Sequence, residues 1–306
     1  MSITKIEQEA NEIIAYKGDT PSSHPFLKLA DDVFPDEATK HALLCFSSQF
    51  LPMAYMHPLL KKLLKKQKID IHEVMVKIKA APRTIVVLAE DGTESSKNWP
   101  VHGLVLLRIT SQRNGKRWYT NLSGAEFGLT QAIFSAADFE SKHVQALCAV
   151  FNFGRCRDYV QACSALAGCY SHTQRIGLRA SSRMEKALLA FMQKPGNDLV
   201  SLRHSKDTTE SASWHQSLAE ALSKAVGEYI SNYDASPLMY QITNESEETT
   251  RNTMAEHIDH ASILGDAMTD EEKANRPNVA LDLAQMMQQH GGPGANMVAD
   301  VFKSLR

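Results

Sequence analysis

Asn114-Gly115 is the pair of residues that most narrows the choices open to this chain. Asn and Gly tolerate the positive φ angles of a type I′ turn, whose twist matches two antiparallel strands, so the pair between apolar runs specifies a hairpin. The flanks agree: residues 102–110 are β-branched and apolar, and Trp118 to Leu122 follow the turn. Upstream, residues 83–90 have the same texture and lead into Asp91-Gly92, a second turn signal. A small antiparallel β-meander is therefore expected at about 83–122, its last turn projecting Arg113, Lys116 and Arg117.

Elsewhere the apolar residues recur at helical spacing, which predicts a mainly α (α+β) fold: a multi-helix body holding that meander, with helical arms at both ends. Thr4 with Glu7 reads as a capping box for an amphipathic helix over 4–17, striped by Ile6, Ala10, Ile13 and Ile14. A helix over Asp36 to Phe50 is stopped by Pro52, and the next starts at Pro58. In that second helix Leu59, Leu60, Leu63 and Leu64 face one way and Lys61, Lys62, Lys65, Lys66 and Lys68 the other. Asp70 with Glu73, Ser123 with Glu126, Asp138, and Ser182 with Glu185 mark further helix starts. The stripe Val144, Leu147, Cys148 and Phe151 follows Asp138, and Trp214 to Tyr229 is strongly amphipathic before Pro237.

The pattern divides into an N-terminal arm (1–25), a body (26–236) and an acidic C-terminal arm (237–306). Gly291-Gly292-Pro293-Gly294 reads as a hinge, not a phosphate loop, because no Lys-Ser/Thr follows it.

Composition excludes several classes. Of 306 residues 43% are hydrophobic and 22% charged, as in globular proteins, and no apolar run approaches the roughly 18 residues of a membrane helix. Lys5, Glu7, Glu9 and Glu12 preclude a signal-peptide core. Five cysteines, an odd number, read as reduced thiols packed as small hydrophobes. The expected location is the cytoplasm, or a ribonucleoprotein particle or virion, with no secretion and no membrane partner.

The net charge of −2 hides strong segregation: −4 over residues 1–60, +11 over 61–208 and −9 over 209–306. A basic middle between acidic ends suits a body that binds a polyanion, or arms that fold back and neutralise the middle.

No cofactor, metal or catalytic residue is expected. Cys156, Cys163 and Cys169 lack the paired spacing of zinc sites, and His257 with His260 lacks identifiable further ligands. Gly-x-Ser-x-Gly, Walker and dinucleotide fingerprints are all absent from the sequence.

Nucleic-acid binding has a mechanism behind it. Arg175, Arg179 and Arg183 advance about 6 Å per step if helical, enough to follow a sugar–phosphate backbone with bidentate guanidiniums, and Lys186 extends the row. Trp118, Tyr119, Phe151, Phe153 and Tyr159 interleave with Arg113, Lys116, Arg117, Arg155 and Arg157, the pairing of aromatic platforms with cations that serves single strands. The plain alternative is solvated arginines bridging to Glu185, and a structural Trp118.

Tethered ends, a basic α-rich body and acidic arms are together similar in organisation to helical nucleocapsid or coat proteins of RNA viruses. That similarity implies a homo-oligomer or filament joined through residues 1–20 and 278–306 around single-stranded RNA. An adaptor whose arms dock on other proteins, and an α-helical enzyme with an unrecognised site, are the alternatives.

Overall fold

The computed structural model describes residues 2–18, 31–46, 48, 50–65, 67–89, 91–98, 104–197 and 208–246, with isolated positions up to residue 269. Two β-sheets, not one meander, organise it.

The first sheet holds β1 (Ser2–Glu9), β2 (Glu12–Gly18), β4 (Thr84–Leu88) and β5 (Glu94–Lys97) in the order β1-β2-β4-β5. β2 runs parallel to β4, with Glu12 opposite Thr84, while the other pairs are antiparallel. Helix α1 (Glu37–Cys45), capped by the Asp36 carboxylate on the Thr39 N–H, covers one face. Ile13, Ala15, Ile85 and Val87 there meet Ala42 and Leu43.

The second sheet is antiparallel throughout. Its strands are β3 (Ile69–Ile78), β6 (Leu104–Ser111), β7 (Arg117–Thr120), β8 (Ile133–Ser135) and β9 (Val144–Asn152), in the order β8-β7-β6-β3-β9. β6 is central and covered on both sides, which is why Leu104 to Leu107 are all buried without alternation. On one face Val74, Val76, Leu104 and Leu106 pack against Phe127, Phe134 and Phe139, the last from helix α3 (Ala136–His143). On the other, Val105 and Leu107 pack against Met53 and Ala54 of α2 (Leu51–Leu63) and Cys156 and Val160 of α4 (Arg155–Ser164).

A 3-10 turn at Gly124–Phe127 joins the sheets. Asn98 Oδ1 accepts from the Ile85 N–H, its Nδ2 donates to the Glu126 carbonyl at 2.7 Å, and the Arg83 N–H donates to the Phe127 carbonyl at 3.2 Å. Beyond α2 and α4 lie α5 (Cys169–Met192), α6 (Thr208–Ser231) and α7 (Ser236–Asn244). Leu188, Phe191, Trp214 and Leu218 unite α5 and α6 with Leu59 of α2.

The expected mainly α body with helical arms is thus corrected to an α+β fold with two sheets. Residues 2–18 form a β-hairpin, because Ile13 and Ala15 are buried in alternation and β4 supplies a partner strand. Residues 69–78 form a strand. Glu73 does not cap a helix there: its buried carboxylate crosses to α4 and accepts the Gly154 and Cys156 N–H groups at 2.9 and 2.6 Å. Burial pushes its pKa up, and those hydrogen bonds pull it back.

The stripe Val144 to Phe151 lies on β9, where Cys148 to Phe151 are continuously buried, a run that fits either period. Pro52 starts α2 instead of ending α1, and Pro58 sits inside it. Ser182 falls in mid-helix, its hydroxyl donating back to the Leu178 carbonyl. The strands expected in one meander divide between the sheets, β4 in one and β6 and β7 in the other, and β4 pairs with the unexpected β5. The expected C-terminal arm beyond α7, including 278–306, lies outside the described residues apart from a few positions, and α7 itself docks on α5.

Candidate nucleic-acid interface

The arginine row lies on one continuous helix. α5 is 24 residues long, and Gly177, the residue that weakens helix propensity there, lets the helix approach α2: a Cβ at that position would lie 2.2 Å from the Tyr55 ring. The Ser181 hydroxyl fixes the same crossing by donating to the Tyr55 carbonyl at 2.6 Å.

On the opposite side of α5, Arg175, Arg179 and Arg183 line a cleft of about 630 Å³. Its other wall comes from Glu228 and Tyr229 of α6 and from Asn232 and Tyr233 just past its end, and Asp234 and Pro237 close the end toward α7. Tyr229, in the last turn of α6, and Tyr233, just past its end, have ring centroids 5.9 Å apart, nearly edge-to-face. Burial raises the pKa of both phenols, and the Arg179 guanidinium works against that rise on each; Arg183 adds to it at Tyr229. The buried Tyr229 hydroxyl meets no hydrogen-bonding partner at bonding geometry among the described residues, although these cations are near enough to act on it.

The three arginines are not equivalent. Arg175 is half-buried, and its Nη1 donates to the Ser164 and Leu166 carbonyls at 2.7 and 3.1 Å, closing the end of α4. Arg179 and Arg183 are exposed, and among the described residues the bridge to Glu185 that the sequence allows is not formed. The carboxylates of the facing wall are engaged elsewhere. Glu228 pairs with Lys224 at 3.9 Å, and Asp234 accepts from the Ser236 N–H at 3.0 Å, which lowers its pKa. The cleft therefore presents two exposed arginines beside two tyrosine rings, and paired guanidiniums suit an oxyanion.

His172 anchors one end. Its Nδ1 lies 3.1 Å from Gln241 Oε1 and its Nε2 lies 2.9 Å from the Tyr233 hydroxyl. With Gln241 Oε1 as acceptor, Nδ1 carries the proton and Nε2 accepts from the Tyr233 O–H. The imidazole thereby ties α5 to α7 and to the segment that joins α6 to it.

The remaining sequence candidates scatter. Arg157 is structural: Nη1 donates to the Ala54 carbonyl and the Ser181 hydroxyl, both at 3.1 Å. Arg155 is half-buried on the first turn of α4, and Lys186 is exposed on α5 but does not line the cleft. Tyr119 is 2% exposed, its O–H donating to Glu140 Oε1 at 2.8 Å. Phe151 is buried, and the partly buried Phe153 and Tyr159 pack on His57 and Phe50 beside α2 and α4, away from the arginine cleft. Arg113 and Lys116 are exposed on the β6–β7 turn. Lys116, Arg117 and Trp118 line a second groove of about 460 Å³ with Ser135, Ala136, Ala137 and Glu140, sharing no residue with the cleft.

Sequence reading missed Tyr233, Asn232 and His172 and assigned Tyr229 to an apolar stripe. The available signal was two tyrosines four residues apart, Tyr229 and Tyr233, where the amphipathic pattern runs out before Pro237.

All five cysteines are free, three of them buried. Among the described residues no group of three or more His, Cys, Asp or Glu side chains is placed to hold a metal ion, and His257 and His260 lie outside those residues. Among them, too, no helix is long and apolar enough to cross a membrane. Comparison with family models, with curated proteins and with solved structures finds no match to this chain.

Proposed function

We propose that this protein binds single-stranded RNA in the α5–α6 cleft and assembles with copies of itself along the strand, as a coat or nucleocapsid protein does. The observation that carries this is the alignment of Arg175, Arg179 and Arg183 along one wall, opposite Tyr229 and Tyr233. The exposed Arg179 and Arg183, one turn apart on one helix face, can meet successive phosphates, while Arg175 keeps that face in register with the end of α4. The positive middle of the chain, +11 over residues 61–208, adds a long-range attraction for the same ligand. The protein would then act in the cytoplasm or within a ribonucleoprotein particle, its terminal segments contacting neighbouring subunits.

The test is a salt titration of binding to a labelled, unstructured RNA, with wild type and the double variant Arg179→Ala/Arg183→Ala. Wild-type affinity falls steeply with salt. The double variant binds more weakly, and its log–log salt slope is shallower by roughly 0.7 for each phosphate that it no longer neutralises. Absence of binding by wild type at low salt, or an unchanged slope in the variant, overturns the assignment. Binding to protein partners then becomes the function to screen.

A further inference from the structure

We infer that the groove beside β7 is a nucleobase-stacking site for single-stranded RNA, with Trp118 as its platform. This rests on the RNA-binding reading of the α5–α6 cleft and adds to it a second site of different construction.

Core packing does not account for the indole. Trp118 is partly exposed and belongs to none of the four apolar clusters, whereas its neighbour Tyr119 sits in the core beneath α3 and Trp214 in the core between α5 and α6. Alternation along β7 sends these neighbours to opposite faces, so Trp118 points away from the side that Phe134 and Phe139 fill. Its cross-strand partner is Ser135, and Ala136 and Ala137 follow it along the groove. These small residues leave about 460 Å³ beside the ring, room for a planar heterocycle.

Charge is sorted within the groove. Glu140 is held by the Tyr119 hydroxyl and in turn holds Arg117 at 3.7 Å, an ion pair within the groove lining, while Lys116 shares the face of β7 that carries the indole. A phosphate placed inside would meet the Glu140 carboxylate, whereas an uncharged base would not. Arg113 lies outside on the exposed turn, where Gly115 takes a φ of 67°, and Lys116 stands between that turn and the groove it helps to line. Base inward and phosphates on the turn is the arrangement that satisfies both groups. Stacking on an aromatic face beside a cation tolerates any sequence.

The test compares a short oligoadenylate with an abasic ribose-phosphate strand of equal length, so that bases are removed and phosphates kept. Wild type binds the base-bearing strand about tenfold more tightly. Trp118→Ala removes that preference while leaving affinity for the abasic strand and the salt slope unchanged, and Trp118→Phe restores most of it. Ala137→Gln, which fills the groove from α3, reproduces the effect of Trp118→Ala and serves if that variant does not fold. Equal binding of the two strands by wild type, or a preference that survives both Trp118→Ala and Ala137→Gln, overturns the stacking site while RNA binding in the cleft stands. Failure of both strands to bind at low salt overturns the cleft assignment and the stacking site together.

Discussion

His57 is half-buried at the junction of α2 with the start of α4, its ring 4.6 Å from that of Phe153. Gly154 passes so close that a Cβ there would lie 2.8 Å from His57 Nε2. Burial lowers the imidazole pKa, Lys61 and Arg157 lower it further, and Asp158 and Glu185 oppose them. The unfolded chain therefore binds the proton more readily than the folded one, and stability present above about pH 6.5 is lost as pH falls toward the folded pKa. In urea unfolding, wild type is expected to lose stability relative to His57→Gln as pH drops from 7 to 5.5; parallel curves would remove this role. The same scale explains a misreading. Asp70 and Glu73 have the spacing of a helix start, but a buried carboxylate can also serve a helix far away in sequence, as Glu73 does for α4. Nothing local distinguishes the two uses.

At the scale of elements, Arg175 and Arg179 occupy neighbouring turns of α5 with different duties. Arg175 satisfies the last carbonyls of α4, and Arg179 satisfies none of them. Arg175→Ala is expected to cost about 1–2 kcal/mol of stability, and Arg179→Ala less than about 0.5 kcal/mol, read from chemical denaturation. RNA affinity should follow Arg179 at undiminished stability, so equal destabilisation by the two substitutions would contradict the division. The arginine row was legible in sequence because its spacing is local to one helix. The hairpin β6–β7 was legible for the same reason, through Asn114-Gly115. The tyrosine wall was not, since it requires knowing that α6 returns against α5. β3 and β9 were missed because a short buried strand and a short buried helix write similar apolar runs.

For the whole molecule, the N-terminal hairpin changes how assembly is to be tested. Ile13 and Ala15 of β2 complete the core under α1, so removing residues 2–18 strips a sheet as well as any subunit contact. That deletion is expected to lower the thermal midpoint by about 10 °C or to yield insoluble protein. Glu9→Lys, on the exposed outer strand, should leave the midpoint unchanged and reduce oligomer size where β1 contacts a neighbour. Thermal scans with size-exclusion profiles separate the cases, and a fully stable deletion would show that the hairpin is dispensable to the fold.

The parallel pairing of β2 with β4 also sets a schedule for synthesis. As the chain leaves the ribosome, β1 and β2 can close on each other at once, but the sheet they belong to waits for Thr84–Leu88, and its anchorage waits for the turn at Gly124–Phe127. Through that interval the apolar side of the nascent hairpin faces water. Residues 2–18 are thus made more than a hundred residues ahead of the turn that anchors their sheet, and chaperones can reach their apolar side until it emerges.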